Sequence, residues 1–257
     1  MPSTARVALD FLSRPPSFSY GSHRWARAEL WLPRGPGPFP VVVVLHGGYW
    51  RARYSKRVMK AACADLARRG FAAWNLEYRR IGRGQGGGWP ATFDDVGAGI
   101  DHLAKLSDER LDLSDGVTAL GHSAGGQLAL WSASRPDPVV PVRRVVAQAA
   151  VCNLAVAGEP AWELLGGRPD EVPDRYDLAD PMRLVPLGVP TLLVHGADDE
   201  TVPVRRSRDY AAAARAAGDP VELVEPTPGG HRVHPDPRSD AWRVAAEWIA
   251  RPVRSAA

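Results

Sequence analysis

The sequence predicts an α/β architecture, a mostly parallel central sheet flanked by helices. Three observations carry this. Short apolar runs alternate along the chain with longer amphipathic stretches, the rhythm of repeated βαβ units. Residues 41–45 form a continuous apolar run, the pattern of a strand covered on both faces. Three apolar runs end in glycine-containing turns: His46-Gly47-Gly48, Gly121-His122-Ser123-Ala124-Gly125-Gly126 and His195-Gly196. Parallel sheets collect functional groups at such carboxyl ends of strands.

Residues 7–12 and 24–32 alternate in polarity and read as edge strands. Pro33 to Pro38 is a turn, and residues 41–45 a buried strand. Residues 54–69 place Val58, Ala62 and Leu66 at four-residue steps, a helix stopped by Gly70. A strand at 71–76, a helix at 91–106 and a strand at 117–120 follow. Residues 124–134 read as a helix, 142–150 and 191–195 as strands, 204–217 as a helix and 221–224 as a strand. The closing helix spans 239–250, with Trp242, Ala245, Ala246 and Ile249 on one face. Residues 153–190 break the rhythm: long, proline-rich and dotted with Trp162, Leu164, Leu165, Tyr176 and Met182. We read them as a small cap or lid inserted into one α/β domain of residues 1–257.

The chain has 257 residues, 45% hydrophobic and 24% charged, which fits an ordinary soluble globular protein with a sizeable core. Net charge is +3, and of 32 basic residues only Lys56, Lys60 and Lys105 are lysines. The arginine, alanine, glycine and proline richness fits a GC-rich genome. No arginine block with interleaved aromatics forms a nucleic-acid groove. The N-terminus lacks the apolar core of a signal peptide, and no apolar run is long enough to span a bilayer. Two cysteines, Cys63 and Cys152, predict buried free thiols and a reducing, cytoplasmic setting.

The stretch from Gly121 to Gly126 carries the chemistry. An apolar run, then G-x-S-x-G, then a helix is a nucleophile elbow, a sharp turn that lifts one serine hydroxyl above the sheet. The plain alternative is a glycine-rich turn with an idle serine. A serine hydroxyl is a weak nucleophile that needs a base, and the base needs an orienting acid. After Ser123 the candidates are few. Asp198, Asp199 and Glu200 follow the strand at 191–195, two βα units later. His231 follows Pro228-Gly229-Gly230 after the last strand, and His234 is its rival.

These residues resemble the α/β-hydrolase fold family over essentially the whole chain. Such chains place the acid in H-G-x-x-D-x-x-V-P, which here is His195 to Pro203 and implies Asp199, with Asp198 as rival. The resemblance implies His231 as base. His46-Gly47-Gly48-Tyr49-Trp50 is similar to the family's H-G-G-x loop. It implies an oxyanion hole from the N–H groups of Gly48 and Tyr49, joined by Ala124, with His46 fixing the loop. His122 is expected to pack beside the elbow.

The wording H-G-G-Y-W with G-H-S-A-G-G resembles the esterase and arylformamidase (kynurenine formamidase) branch. Residues Glu77 to Gly82 and Gly86 to Pro90 are also similar to loops of bacterial relatives in that branch, and the resemblance implies Tyr49, Trp50 and Trp89 as aromatic walls near the serine, with Trp50 and Trp89 in the substrate pocket. The expected function is a serine carboxylesterase acting on a short-acyl or aryl ester through an acyl-enzyme. The alternatives are an arylformamidase, an acylaminoacyl-peptidase-like hydrolase and a non-catalytic binding protein on the same scaffold. The expected partner is a small-molecule ester or amide. We expect no cofactor, metal, nucleic acid or membrane, and a homodimer stays open.

Overall fold

The computed structural model describes residues 1–227 and 230–252. Among them nine strands join one sheet: β1 (Ser17–Ser19), β2 (Arg27–Trp31), β3 (Phe39–Leu45), β4 (Ala72–Leu76), β5 (Leu111–Asp112), β6 (Val117–His122), β7 (Val142–Gln148), β8 (Thr191–Val194) and β9 (Val221–Val224). The helices are α1 (Thr4–Leu12), α2 (Lys60–Arg68), α3 (Ala91–Asp101), α4 (Ala124–Ser132), α5 (Glu159–Leu165), α6 (Pro173–Ala179), α7 (Arg205–Ala216) and α8 (Asp240–Ile249). The order across the sheet is β1-β2-β4-β3-β6-β7-β8-β9, with β5 pairing beside β3. From β4 to β9 every pairing is parallel, while β1 and β2 run antiparallel at one edge.

The apolar run of β3 shows why such a strand must be covered twice. Its side chains alternate between faces. Val41, Val43 and Leu45 join one core with Phe93, Ile100 and Leu128 of α3 and α4. Val42 and Val44 join the other, with Cys63 and Leu66 of α2 and Trp242 and Ala245 of α8. Strand β8 repeats the split, with Leu193 in the first core and Leu192 and Val194 in the second. The indole of Trp242 donates to Asp65 at 2.7 Å and ties α8 to α2. Cys63 and Cys152 are buried and free, one in each core.

The expected edge strand at residues 7–12 is helix α1. Ser3 caps it by accepting from the Arg6 N–H at 3.2 Å. Val7 and Asp10 then share one buried face at helical spacing, and Arg68 of α2 donates to both Asp10 oxygens at 3.0 and 3.1 Å. A cap and a partner across the fold outweighed a short alternation. The expected helix at 54–69 is a 3-10 turn, Lys56–Met59, leading into α2. Tyr54 is thereby released to the loop beside the site described below.

Residues 153–190 form α5 and α6, and their apolar residues fill the first core rather than a core of their own. Leu154, Ala161, Leu164, Leu165 and Tyr176 are fully buried in it. Gln127 and Trp131 of α4 donate to the carbonyls of Ala179 and Leu178 at 3.0 Å each. No helix among the described residues is long and apolar enough to cross a membrane.

Candidate active site

Strand β6 ends at His122, and helix α4 begins at Ala124. Ser123 is the single residue between them, with φ 56° and ψ −119°. A non-glycine residue seldom adopts this left-handed conformation, and it occurs where surrounding structure forces it. The forcing is visible. Ser123 N–H donates to the Gln148 carbonyl at 2.8 Å, and its carbonyl accepts from Gly126 N–H at 2.9 Å. A Cβ on Gly125 would lie 2.2 Å from the Leu45 carbonyl oxygen, so only glycine lets the helix start this close to β3.

The loops after β8 and β9 converge on that serine. His231 Nδ1 lies 2.7 Å from Asp199 Oδ2. A carboxylate only accepts, so Nδ1 carries the hydrogen and Nε2 is left to accept. Nε2 is 3.0 Å from Ser123 Oγ. The other Asp199 oxygen accepts from the N–H groups of Thr201 and Val202, at 2.8 Å each. Burial pushes the Asp199 carboxyl up, but hydrogen bonds from His195, His231 and Val202 outweigh it and hold the group well below the usual carboxylate range. Asp199 therefore stays ionised in acid. Pro228 and Gly229, expected in the turn before His231, lie outside the described residues.

Three further histidines touch this constellation: His195, His234, which was the rival base, and His122, expected to pack beside the elbow. His195 Nδ1 lies 2.7 Å from Ser207 Oγ, and its Nε2 lies 3.3 Å from Asp199 Oδ2. The same Nε2 donates to the Val202 carbonyl at 2.8 Å, which holds the ring beside the acid. His234 is fully buried, and Gly196 N–H donates to its Nε2 at 3.4 Å. His122 donates from Nε2 to the His231 carbonyl at 2.8 Å, anchoring that loop to the elbow. Alternation in β6 was the available signal: a histidine next to the elbow serine points away from it, toward the neighbouring loop.

Burial, with His231 and His234 nearby, pushes the His122 imidazole down to about 3 from its ordinary 6.5. Between those values the unfolded chain binds a proton at this residue that the folded chain refuses. Stability therefore rises with pH through that window and falls on acidification. The contribution reaches about 1.4 kcal/mol per pH unit. Unfolding by urea from pH 4 to 7 should show a shallower slope in His122→Gln, whose amide can still donate to the His231 carbonyl. Equal slopes would contradict this.

The loop after β3 closes the site opposite His231. Gly48, Tyr49 and Trp50 all have positive φ, at 123°, 57° and 55°. A Cβ on Gly48 would sit 2.4 Å from Tyr54 Cβ, so glycine is needed for the close packing of that tyrosine. The N–H groups of Gly48, Tyr49 and Ala124 donate to no oxygen among the described residues. The His46 ring fixes the loop from below, with Nδ1 at 2.8 Å from the Gly47 carbonyl oxygen and Nε2 at 2.8 Å from Glu77 Oε1. Tyr78 stacks on that ring at 4.4 Å and donates to the His46 carbonyl. Burial pushes the Glu77 carboxyl up, but His46 and Arg80 beside it hold it below its ordinary value. Arg80 also donates to the Tyr54 carbonyl.

A cleft of about 420 Å³ opens over Ser123, lined by Tyr49, Arg53, Tyr54, Val58, Thr201 and Arg232 among others. The two expected tryptophan walls are elsewhere. Trp50 is buried, with its indole donating to Gln127 at 3.1 Å. Its left-handed backbone turns the ring inward, beneath the loop. Trp89 packs edge-on against Phe93 at 5.1 Å, and its backbone N–H donates to the Leu164 carbonyl. No residue of 153–190 is among those lining the cleft, and Leu154, Ala161, Leu164, Leu165 and Tyr176 of this segment are buried in the first core.

Ser123, His231 and Asp199 thus stand in one hydrogen-bonded line, with free backbone donors opposite, an arrangement that can activate a hydroxyl and receive an oxyanion. Known proteins share the framework. Esterase LipQ of Mycobacterium tuberculosis (strain ATCC 25618 / H37Rv) is 25% identical over 246 residues, covering 88% of this chain and 57% of LipQ. The chain therefore spans little more than half the length of that relative. A truncated carbohydrate esterase from gut microbiota superposes with a TM-score of 0.78 at 21% identity, covering 91% of this chain and 95% of that one. The propionate-bound Est2 esterase of the Planctomycetes species Thermogutta terrifontis gives a TM-score of 0.75 at 23% identity, covering 91% and 92%. These likenesses establish the α/β-hydrolase fold, and the BD-FAE family profile matches residues 29–213, so the chain belongs to the BD-FAE family.

Proposed function

We propose that the protein is a serine esterase that cleaves short-acyl carboxylic esters through an acyl-enzyme. The observation that carries this is the line from Ser123 Oγ to His231 Nε2 at 3.0 Å and from His231 Nδ1 to Asp199 at 2.7 Å. Ser123 attacks the ester carbonyl while His231 takes its proton. Asp199 holds the ring in the tautomer that leaves Nε2 free and stabilises the imidazolium. The negative charge of the tetrahedral intermediate falls to the N–H groups of Gly48, Tyr49 and Ala124. Removing one such donor typically costs about 2.7–4 kcal/mol of transition-state stabilisation. His231 then returns the proton to the departing alcohol, and water repeats the sequence on the acyl-enzyme.

The acyl preference rests on size. A cleft of about 420 Å³ that no residue of 153–190 lines offers little apolar wall to a long chain. The related fold with propionate bound supports a short acyl group. Rates with p-nitrophenyl acetate and butyrate should exceed the rate with palmitate in kcat/KM. Palmitate leading would overturn the short-acyl reading. An N-formyl aryl amine belongs in the same panel, and a formamide leading acetate by about a hundredfold would make the protein an arylformamidase. Trp50 and Trp89 are not among the residues lining the cleft, and Tyr49 and Tyr54 are the aromatic residues that line it. The two free, buried thiols support a reducing, cytoplasmic location.

A further inference from the structure

Two arginines, Arg53 and Arg232, line the cleft over Ser123, and no carboxylate among the described residues lines it. Three arginines of the neighbouring loops are paired with carboxylates. Arg51 lies 2.8 Å from Glu163, Arg79 lies 2.7 Å from Asp95, and Arg80 sits beside Glu77 at 3.5 Å. Arg53 instead rests its guanidinium 5.9 Å from the Tyr54 ring, and neither it nor Arg232 forms an ion pair with any described residue. They come from two different loops. Arg53 follows the loop that carries Gly48 and Tyr49, and Arg232 directly follows His231.

Two unpaired cations lining one concave space raise its potential and draw anions toward it. A guanidinium also presents a planar fork that matches a carboxylate in two parallel hydrogen bonds. A neutral ester uses neither property. Resting on the esterase reading above, we propose that the preferred substrates are esters carrying a second, anionic group, a carboxylate seated by Arg53 and Arg232 while Ser123 attacks the ester carbonyl. The carboxylate can belong to the acyl part or to the departing alcohol, and the two lie on different sides of the scissile bond.

The test compares matched pairs in kcat/KM at low salt. For the acyl side the pair is p-nitrophenyl hydrogen adipate and its methyl ester. For the alcohol side it is para-acetoxybenzoate and its methyl ester. On at least one side the anion should lead its neutral partner by about twofold to thirtyfold, the range of two exposed charge pairs. The side that shows the preference identifies where the carboxylate sits. The ratio of anionic to neutral kcat/KM should fall toward one in the double variant Arg53→Ala/Arg232→Ala. It should also shrink as sodium chloride is raised to about 1 M, where the screening length is about 3 Å. A neutral partner that equals or leads the anion on both sides overturns the inference, and so does a ratio unchanged in the double variant. Those outcomes leave turnover of neutral esters standing. Absence of turnover with every ester, together with no fluorophosphonate labelling of Ser123, would instead bring down the esterase reading and this inference with it.

Discussion

Ser123→Ala is expected to lower kcat by roughly a millionfold, the scale of nucleophile knock-outs in serine hydrolases. The change deletes one oxygen at a position whose backbone is held by Gln148, Gly126 and Gln127 rather than by the side chain. Folding should therefore survive, and thermal unfolding should stay within a few degrees of the parent. What remains of catalysis would come from the free N–H groups opposite. A fluorophosphonate should label the parent at Ser123 and leave the variant unlabelled. Undiminished turnover, or labelling at another residue, would remove Ser123 from its proposed role.

Asp199→Asn is expected to cost roughly four powers of ten in kcat, by the tautomer logic of catalytic triads. An amide can donate where a carboxylate only accepts, so Nε2 of His231 would carry the hydrogen and could no longer take one from Ser123. The fold also leans on this carboxylate, which accepts from Thr201, Val202 and His231. Stability must therefore be measured beside the rate, and a kcat loss in the folded variant is the relevant quantity. Asp198→Asn is the matched control. Asp198 is exposed, while Asp199 is buried. The control should keep kcat within about an order of magnitude, since the exposed Asp198 carboxylate is not the one within hydrogen-bond distance of His231. If Asp198→Asn cost more than Asp199→Asn, the acid would have been assigned one residue too far along.

Much of the architecture could be read from local pattern. The valine run of β3, the alternation of strands with amphipathic helices, and the G-x-S-x-G turn each state their surroundings directly: two covered faces, parallel pairing, a forced backbone. The misreadings share one cause. Residues 7–12 alternate like a strand, yet the cap at Ser3 and the partner Arg68, far along the chain, make them a helix. Trp50 sits in the right loop for a substrate wall, yet a left-handed backbone sends its ring into the core. The apolar residues of 153–190 enter the first core, and nothing local says whose core they enter.

The sequence by itself determined the order of elements, the elbow and the short roster of serine, acid and histidine that could serve it. These depend on properties of single segments: periodicity, glycine at a backbone that tolerates nothing larger, and residue chemistry. Only the tertiary structure decided that His231 rather than His234 faces Ser123, that His195 lies beside Asp199 and His122 anchors the loop of His231, and that Arg53 and Arg232 share one cleft. Those juxtapositions join residues from different loops at the ends of neighbouring strands. Their distances are set by how the whole sheet twists and packs, and no local stretch of chain encodes that.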